Sequence, residues 1–457
     1  MRFSNVPGRS GMQSENIVTP AHVYDRCWHY IGITGVVLML LGVGSSKGLQ
    51  SLGMVLAVLA LLATAWRPDT RAFWRDPLVR LGGVWVALLL LLASLAAWRF
   101  PDTAALQFDY VWKLSRFLLV VVVAWWVARA LRSPVTAAWW LVAGYALGAL
   151  YFLHQAGWPW YQPGVNFVDI WEGRQFYALL SASIIMLLVL LARDLLQPGR
   201  GGAGFWLRLV PWLLTLLIAI NGFLLSQSRG AVLALAVGTL LAVILAWRAV
   251  PEARRRGIWS YALAVLCLVG LVWLGTGETA DRFARDYQAL SVALEDPDAV
   301  PETDMGIRWY QWREGWRLWL ERPVLGWGPG SGRMLHEMAD LPPVSSERAL
   351  HHFHSVPLDL LMWTGLAGLA LLGWMGWRWS VALGSLARRS DEAGRSARLA
   401  LVVGLMFVVA SLTQTYITSQ VTWFYLAGFL GPAYGLVMRA REHQARHMLV
   451  SDSCSQT

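Results

Sequence analysis

Charge is scarce in this sequence: Asp, Glu, Lys and Arg supply 14% of 457 residues, against about 25% in an ordinary soluble domain. The apolar share is 56%, above the roughly 45–50% of such domains. This balance excludes a soluble enzyme. Cysteine is nearly missing, with three residues, so no disulfide framework is available. No repeat of solenoid period is visible, and the sequence shows no two similar halves of the kind built into many secondary transporters. Tryptophan is plentiful instead. Its 28 copies suit the two interfacial belts of a helical membrane protein.

Apolar runs fall at about 28–45, 49–66, 79–98, 114–131, 134–155, 175–192, 206–225, 230–247, 258–275, 355–376, 399–416 and 420–438. At about 20 residues per crossing, these make twelve transmembrane helices in one lipid-embedded domain. The first 27 residues are polar, contain Arg2, Arg9 and Arg26, and lead into the first run without a small-residue cleavage pattern. The first run therefore reads as a retained anchor.

The net charge of +10 and pI near 9.8 would point to nucleic acid in a soluble chain. Here topology explains them. With a cytoplasmic N-terminus, one side of the membrane carries 24 basic and 10 acidic residues, a balance of +14, and the other carries 14 basic and 18 acidic, a balance of −4. That asymmetry follows the positive-inside rule, so no nucleic-acid partner is expected. The segments become a cytoplasmic N-terminus (1–27), nine spans (28–275), a large periplasmic loop (276–354), three spans (355–438) and a cytoplasmic tail (439–457). No inner loop is large enough for a nucleotide-binding domain. Cys27 and Cys454 fall inside and Cys267 in a span. A second outer loop, roughly 156–174, is rich in aromatics, Pro and Gly.

Function is expected in the large loop. Glu278 to Glu295 and Arg308 to Glu321 read as amphipathic helices, the second with Trp309, Trp312, Trp316 and Trp319 at helical spacing. Such a stripe packs on the bundle or the membrane interface, or forms a wall for sugar or lipid. Gly326-Trp-Gly-Pro-Gly-Ser-Gly332 lacks the Lys-Ser/Thr of a phosphate-binding loop, so it reads as a tight turn whose backbone approaches substrate. Glu295-Asp296-Pro-Asp298 contains the Asp-x-Asp pattern that many glycosyltransferases use for a divalent cation. In an acidic loop it reads as solvated charge.

His351, His352 and His354 cluster at the loop end, just before Ser355 and the next span. A zinc site has no outer cysteine to complete it. A neutral imidazole held at the membrane surface by a helix start suits a general base near neutral pH. Asp359, one turn into that helix, either orients this site, with Ser355 and His352 as neighbours, or makes a structural polar contact. Arg174, Arg229, Arg308 and Arg116 lie on the same side, Arg116 in the first turn of the fourth run. Their forked, permanently charged guanidinium groups suit a lipid pyrophosphate without a metal. Each is equally suited to snorkel or to pair with a loop acid such as Glu172.

His354-Ser355, nine residues, Gly365, two residues, then Gly368 resembles the motif of bacterial O-antigen ligases, within the O-antigen ligase/polymerase family of polytopic membrane glycosyltransferases. The Ser228-Arg-Gly-Ala segment and the stretch from Arg308-Trp-Tyr-Gln-Trp to Gly-Trp-Gly are also similar, so the likeness covers roughly residues 205–440. The resemblance implies an all-α integral membrane fold of about twelve transmembrane helices, C-type glycosyltransferase-like (GT-C), with amphipathic helices in its periplasmic loop. It implies transfer of O-antigen polysaccharide from undecaprenyl pyrophosphate to a sugar hydroxyl of lipid A-core oligosaccharide, on the periplasmic face of the bacterial inner membrane. The resemblance also implies an inverting reaction with no cofactor and no metal, His354 as base and Arg174, Arg229, Arg308 and Arg116 on the phosphates. The alternatives are an O-antigen polymerase, a protein O-oligosaccharyltransferase and, from another class, a twelve-span secondary transporter.

Overall fold

The computed structural model describes residues 20–131, 133–156, 173–197, 202–226, 228–249, 277–301, 303–341 and 352–455. Among these the chain is helical, with no strand. The expected run at 258–275, most of the second outer loop and His351 lie outside the described residues.

Helices α1 (Pro20–Ser45) and α2 (Lys47–Ala63) form a hairpin, followed by the short α3 (Pro68–Arg75) and α4 (Pro77–Arg99). Next come α5 (Ala104–Ser115), α6 (Leu119–Ala130), α7 (Pro134–Ala156), α8 (Arg174–Leu190) and α9 (Ala192–Leu196). Then follow α10 (Ala203–Ser226), α11 (Arg229–Ala249), α12 (Gly277–Glu295), α13 (Asp304–Glu321) and α14 (Gly332–Met338). The chain ends with α15 (Val356–Ala387), α16 (Glu392–Ser411) and α17 (Gln420–Ser455). Among the described residues nine helices are long and apolar enough to cross a membrane, and two apolar helices, α2 and α8, are shorter. These eleven coincide with eleven of the expected runs. The protein is an all-α integral membrane protein.

Local chemistry sets the helix starts. Asp76 caps α4, accepting the Leu78 N–H at 2.9 Å, with Pro77 in the first helical position where its missing donor costs nothing. Asp391 caps α16 and Thr303 caps α13 in the same way. Burial then sorts the helices. α8 is buried continuously from Phe176 to Leu188 and α6 from Leu119 to Ala128, as expected of helices apolar on every side. α10 instead leaves Leu207, Val210, Leu214 and Leu217 exposed, a face for lipid acyl chains.

Opposite ends of the bundle carry different chemistry. At one end Asp76 accepts from the Tyr434 hydroxyl and pairs with Arg441 at 2.8 Å, while Arg439 and Arg398 donate to the last carbonyls of α6 and α15. The guanidinium groups there take up carbonyls that the helix ends leave without a partner. The start of α15 lies at the other end, together with α12, α13 and α14.

Two expectations about local structure are corrected. Arg116 does not open the fourth span. The helical segment starts before the apolar run, at Pro101, and passes through a 3-10 turn at Arg116–Leu118 before continuing to Ala130. Arg116 therefore sits in the middle of the segment, beside Trp112, because the amphipathic stretch from Ala104 to Ser115 is helical too. The eleventh run also ends early. α16 stops at Ser411, and residues 412–419 form a polar turn before α17.

The glycine-rich segment has a structural role rather than an exposed one. α15 is broken at Gly365, whose φ of 64° and ψ of −167° are open only to glycine. The break frees backbone groups, and the loop before α14 takes them up. Trp327 and Gly328 donate to the carbonyls of Met362 and Trp363 at 2.7 and 3.0 Å, while Leu366 and Ala367 donate to those of Pro323 and Val324 at 2.8 and 3.1 Å. The segment from Pro323 to Gly328 is thus fastened to α15 by main-chain hydrogen bonds. A β-carbon at Gly365 would collide with Val324, and one at Gly368 with the Thr364 side chain, so each glycine of the spaced motif answers to a close approach.

Candidate active site

His354 stands immediately before α15 in a left-handed turn, with φ of 51°. Such a conformation costs a non-glycine residue about 1–2 kcal/mol, so the surroundings must impose it. Asp359 does much of this. Its side chain is fully buried, one oxygen accepts the Phe353 N–H at 2.9 Å, and the other accepts the Thr415 hydroxyl. Ser355 contributes its backbone: its carbonyl accepts the Asp359 N–H at 2.9 Å and starts the helix. The His354 ring lies edge-on to His352, with centroids 4.7 Å apart, and its Nδ1 is 3.2 Å from Gln414 Oε1.

The turn at 412–419 ties this histidine to three other helix starts. Thr413 abuts Gly230 beside Arg229, at the start of α11. Gln414 meets His354 and Thr415 meets Asp359. Tyr416 packs on Phe176, one turn into α8 after Arg174, with ring centroids 6.5 Å apart, and lies within electrostatic reach of Arg308 in the first turns of α13. Burial raises the Tyr416 hydroxyl far above its ordinary range, with Arg308 opposing. Four consecutive residues thus gather four elements.

The arginines differ in how they are engaged. Arg229 pairs with Asp286 of α12 and lies 3.8 Å from Asp304 at the start of α13, so it fastens the loop helices to α11. Arg308 is half-buried and, among the described residues, has no ion pair. Burial lowers its proton affinity, with Asp304 and Tyr416 nearby opposing that shift. A desolvated, unpaired guanidinium is a place where an anion gains. Arg174 is exposed at the first residue of α8, after Gly173. Arg116 places its guanidinium over the Trp112 ring of α5, 5.4 Å from the centroid.

Between α7, α8 and α10 runs an apolar cleft of about 400 Å³, lined by Phe152, Tyr177, Leu217, Asn221 and Leu225 among others. Tyr177 is three residues beyond Arg174, and Leu225 four residues before Arg229. The cleft therefore reaches the helix ends that carry both cations. The Asp-x-Asp pair is used locally: Asp296 accepts the Asp298 N–H at 3.1 Å, and Asp298 pairs with Arg313. The tryptophan stripe mostly packs. Trp312 and Trp319 join the main core and Trp309 a small cluster around Tyr310, while Trp316 stays 52% exposed.

Residues 214–373 match the family model described as O-Antigen ligase. The chain carries an O-antigen ligase family domain. The match holds Arg229, Arg308, His354, Asp359 and both motif glycines, and is narrower than the likeness at 205–440 read from the sequence. The family is one of membrane glycosyltransferase-like enzymes with O-antigen ligase or polymerase-type activity. No curated protein matched in the sequence comparison. The residues of the matched stretch draw on partners outside it, namely Thr413 to Tyr416. Sequence reading missed Thr413 to Tyr416 because they sat at the end of an apolar run. The signal was the polar string Thr-Gln-Thr-Tyr itself, which a membrane helix does not readily bury.

Proposed function

We propose that the protein transfers O-antigen polysaccharide from undecaprenyl pyrophosphate to a sugar hydroxyl of lipid A-core oligosaccharide, at the periplasmic face of the inner membrane. The observation that carries this reading is His354, held in a strained turn with Nδ1 on Gln414, two residues before Tyr416, which lies within electrostatic reach of Arg308, a guanidinium with no ion pair among the described residues. With Gln414 Oε1 accepting the Nδ1 proton, Nε2 keeps its lone pair. That nitrogen takes the acceptor hydroxyl proton as the oxygen bonds to the anomeric carbon. The bond from that carbon to the pyrophosphate oxygen breaks in the same displacement, inverting the centre. The leaving pyrophosphate carries the electron pair away, and Arg308 with Arg174 neutralises it. Arg229 keeps α12 and α13 in place beside it and adds its own field. The apolar cleft that ends near Arg174 and Arg229 suits the isoprenoid tail. No metal enters this scheme.

The test is the lipopolysaccharide gel pattern of a deletion strain carrying His354→Ala. Core-only lipid, with polymer accumulating on the carrier, is expected. Losing a general base lowers the rate by about a hundredfold or more, whereas His352→Ala should cost much less. Core bearing a single repeat unit would reassign the protein as a polymerase, and normal ligation by a folded His354→Ala protein would remove the base.

A further inference from the structure

A second cationic site lies at the far end of α13 from Arg308. Arg322, just beyond the last turn, sits over the Trp327 ring at 4.0 Å and the Phe100 ring at 5.4 Å, and these rings stack on each other with centroids 6.2 Å apart. Arg99, the last residue of α4, reaches the same Phe100 ring at 5.7 Å. Two guanidinium groups thus share one aromatic platform. Neither has a carboxylate within ion-pair distance among the described residues, and the neighbouring Glu321 is taken by Arg317 at 3.0 Å. Their mutual repulsion registers in Arg322, whose proton affinity is lowered by burial and then by Arg99, with Glu321 opposing at longer range. Like charges held this close, with no carboxylate in ion-pair contact among the described residues, are stabilised when an anion joins them.

The surroundings identify which anion. Trp98 is 84% exposed, and Leu320, Val324 and Leu366 are exposed beside the arginines. Arg99 ends a helix apolar enough to cross a membrane. Tryptophan with arginine at the end of a span is the composition of a membrane–water interface, and a free ion would have no use for the apolar rim. We infer that Arg99 and Arg322 bind the phosphate of an anionic membrane lipid whose acyl chains lie along the outward face of α4. Along α13 this is about 21 Å from Arg308, at 1.5 Å per residue. The site is therefore separate from the one proposed for the donor pyrophosphate, and it does not depend on that reading.

Native mass spectrometry of the full chain in detergent, titrated with phosphatidylglycerol or phosphatidylcholine, tests the inference. Wild-type protein should retain phosphatidylglycerol in preference to phosphatidylcholine. Each cation near a headgroup is worth about fivefold in binding, so Arg99→Gln should weaken phosphatidylglycerol retention about fivefold and the Arg99→Gln/Arg322→Gln pair by about 25-fold. Arg99 is exposed, so its single variant keeps the inference testable if loss of the Arg322 stack prevents folding. Inorganic phosphate at tens of millimolar should not displace the lipid. Equal retention of both lipids, undiminished retention by the Arg99→Gln variant, or displacement by inorganic phosphate would overturn the assignment. His354→Ala should leave lipid retention unchanged, which separates this outcome from that of the transfer assay.

Discussion

Replacing Asp359 by alanine tests how the His354 turn is held. The carboxylate has no exposed surface and accepts from the Phe353 N–H and the Thr415 hydroxyl. Alanine leaves both donors unpartnered in a closed space, at about 1–3 kcal/mol each and so roughly 2–6 kcal/mol together. The left-handed conformation of His354 needs only about 1–2 kcal/mol of support. The loss exceeds that support, so the turn relaxes and the imidazole leaves Gln414. At about 1.4 kcal/mol per tenfold, Asp359→Ala should lower transfer by a hundredfold or more. Asparagine has the same shape. Its carbonyl keeps the Phe353 bond, and its amide donates to the Thr415 oxygen, a neutral bond worth about 0.5–1.5 kcal/mol. Asp359→Asn should therefore remain within about tenfold of wild type. The measurement is transfer of lipid-linked polymer to core lipid by purified protein, with folded fractions matched by thermal unfolding. An alanine variant of normal activity refutes the argument. An asparagine variant as inactive as alanine, at unchanged melting temperature, shows that the charge matters and the geometry does not.

Arg308→Ala should reduce transfer by about two to three orders of magnitude, with Arg308→Lys recovering only part because a point charge does not fork between phosphate oxygens; full activity in the alanine variant removes Arg308 from the site. Arg229→Ala should abolish transfer and also lower the melting temperature, since the pairing with Asp286 is lost, and an unchanged melting temperature speaks against its fastening role. Gly365→Ala should destabilise by about 2–6 kcal/mol, from about 1–3 of backbone strain and about 1–3 of overpacking against Val324, read as a large drop in thermal midpoint that a neutral result contradicts. For topology, a reporter active only in the periplasm should work when fused after Asp298 and fail after Glu442, and the reverse result inverts the orientation.

Periodicity and hydropathy made the helices legible, because a span long enough to cross lipid has to be apolar along its whole length. Eleven of the runs reappear as helices for that reason. Arg116 was misplaced because Ala104 to Ser115 is too polar to register as part of a span, although helix propensity and packing on α4 carry it into one. The site was legible where chemistry and position coincide, as at His354 and Asp359. It was not legible where a residue serves by touching something distant in sequence. Nothing local to Gln414 announces that it meets His354, 60 positions earlier. Gly326 to Gly332 is a similar case. Glycine shows that something comes close, and only the fold reveals that the visitor is the backbone of α15.

The turn between α16 and α17 has a consequence for how this protein can vary. Loops ordinarily absorb inserted or deleted residues with little harm. Here Thr413, Gln414, Thr415 and Tyr416 each answer to a different partner, and both flanking helices are fixed in the bundle. Adding or removing one residue shifts every assignment at once, delivering a hydroxyl where an amide belongs and an aromatic ring where a hydroxyl belongs. The length of this short connection is therefore held as tightly as its composition, and divergence in this chain has to proceed there by replacement alone.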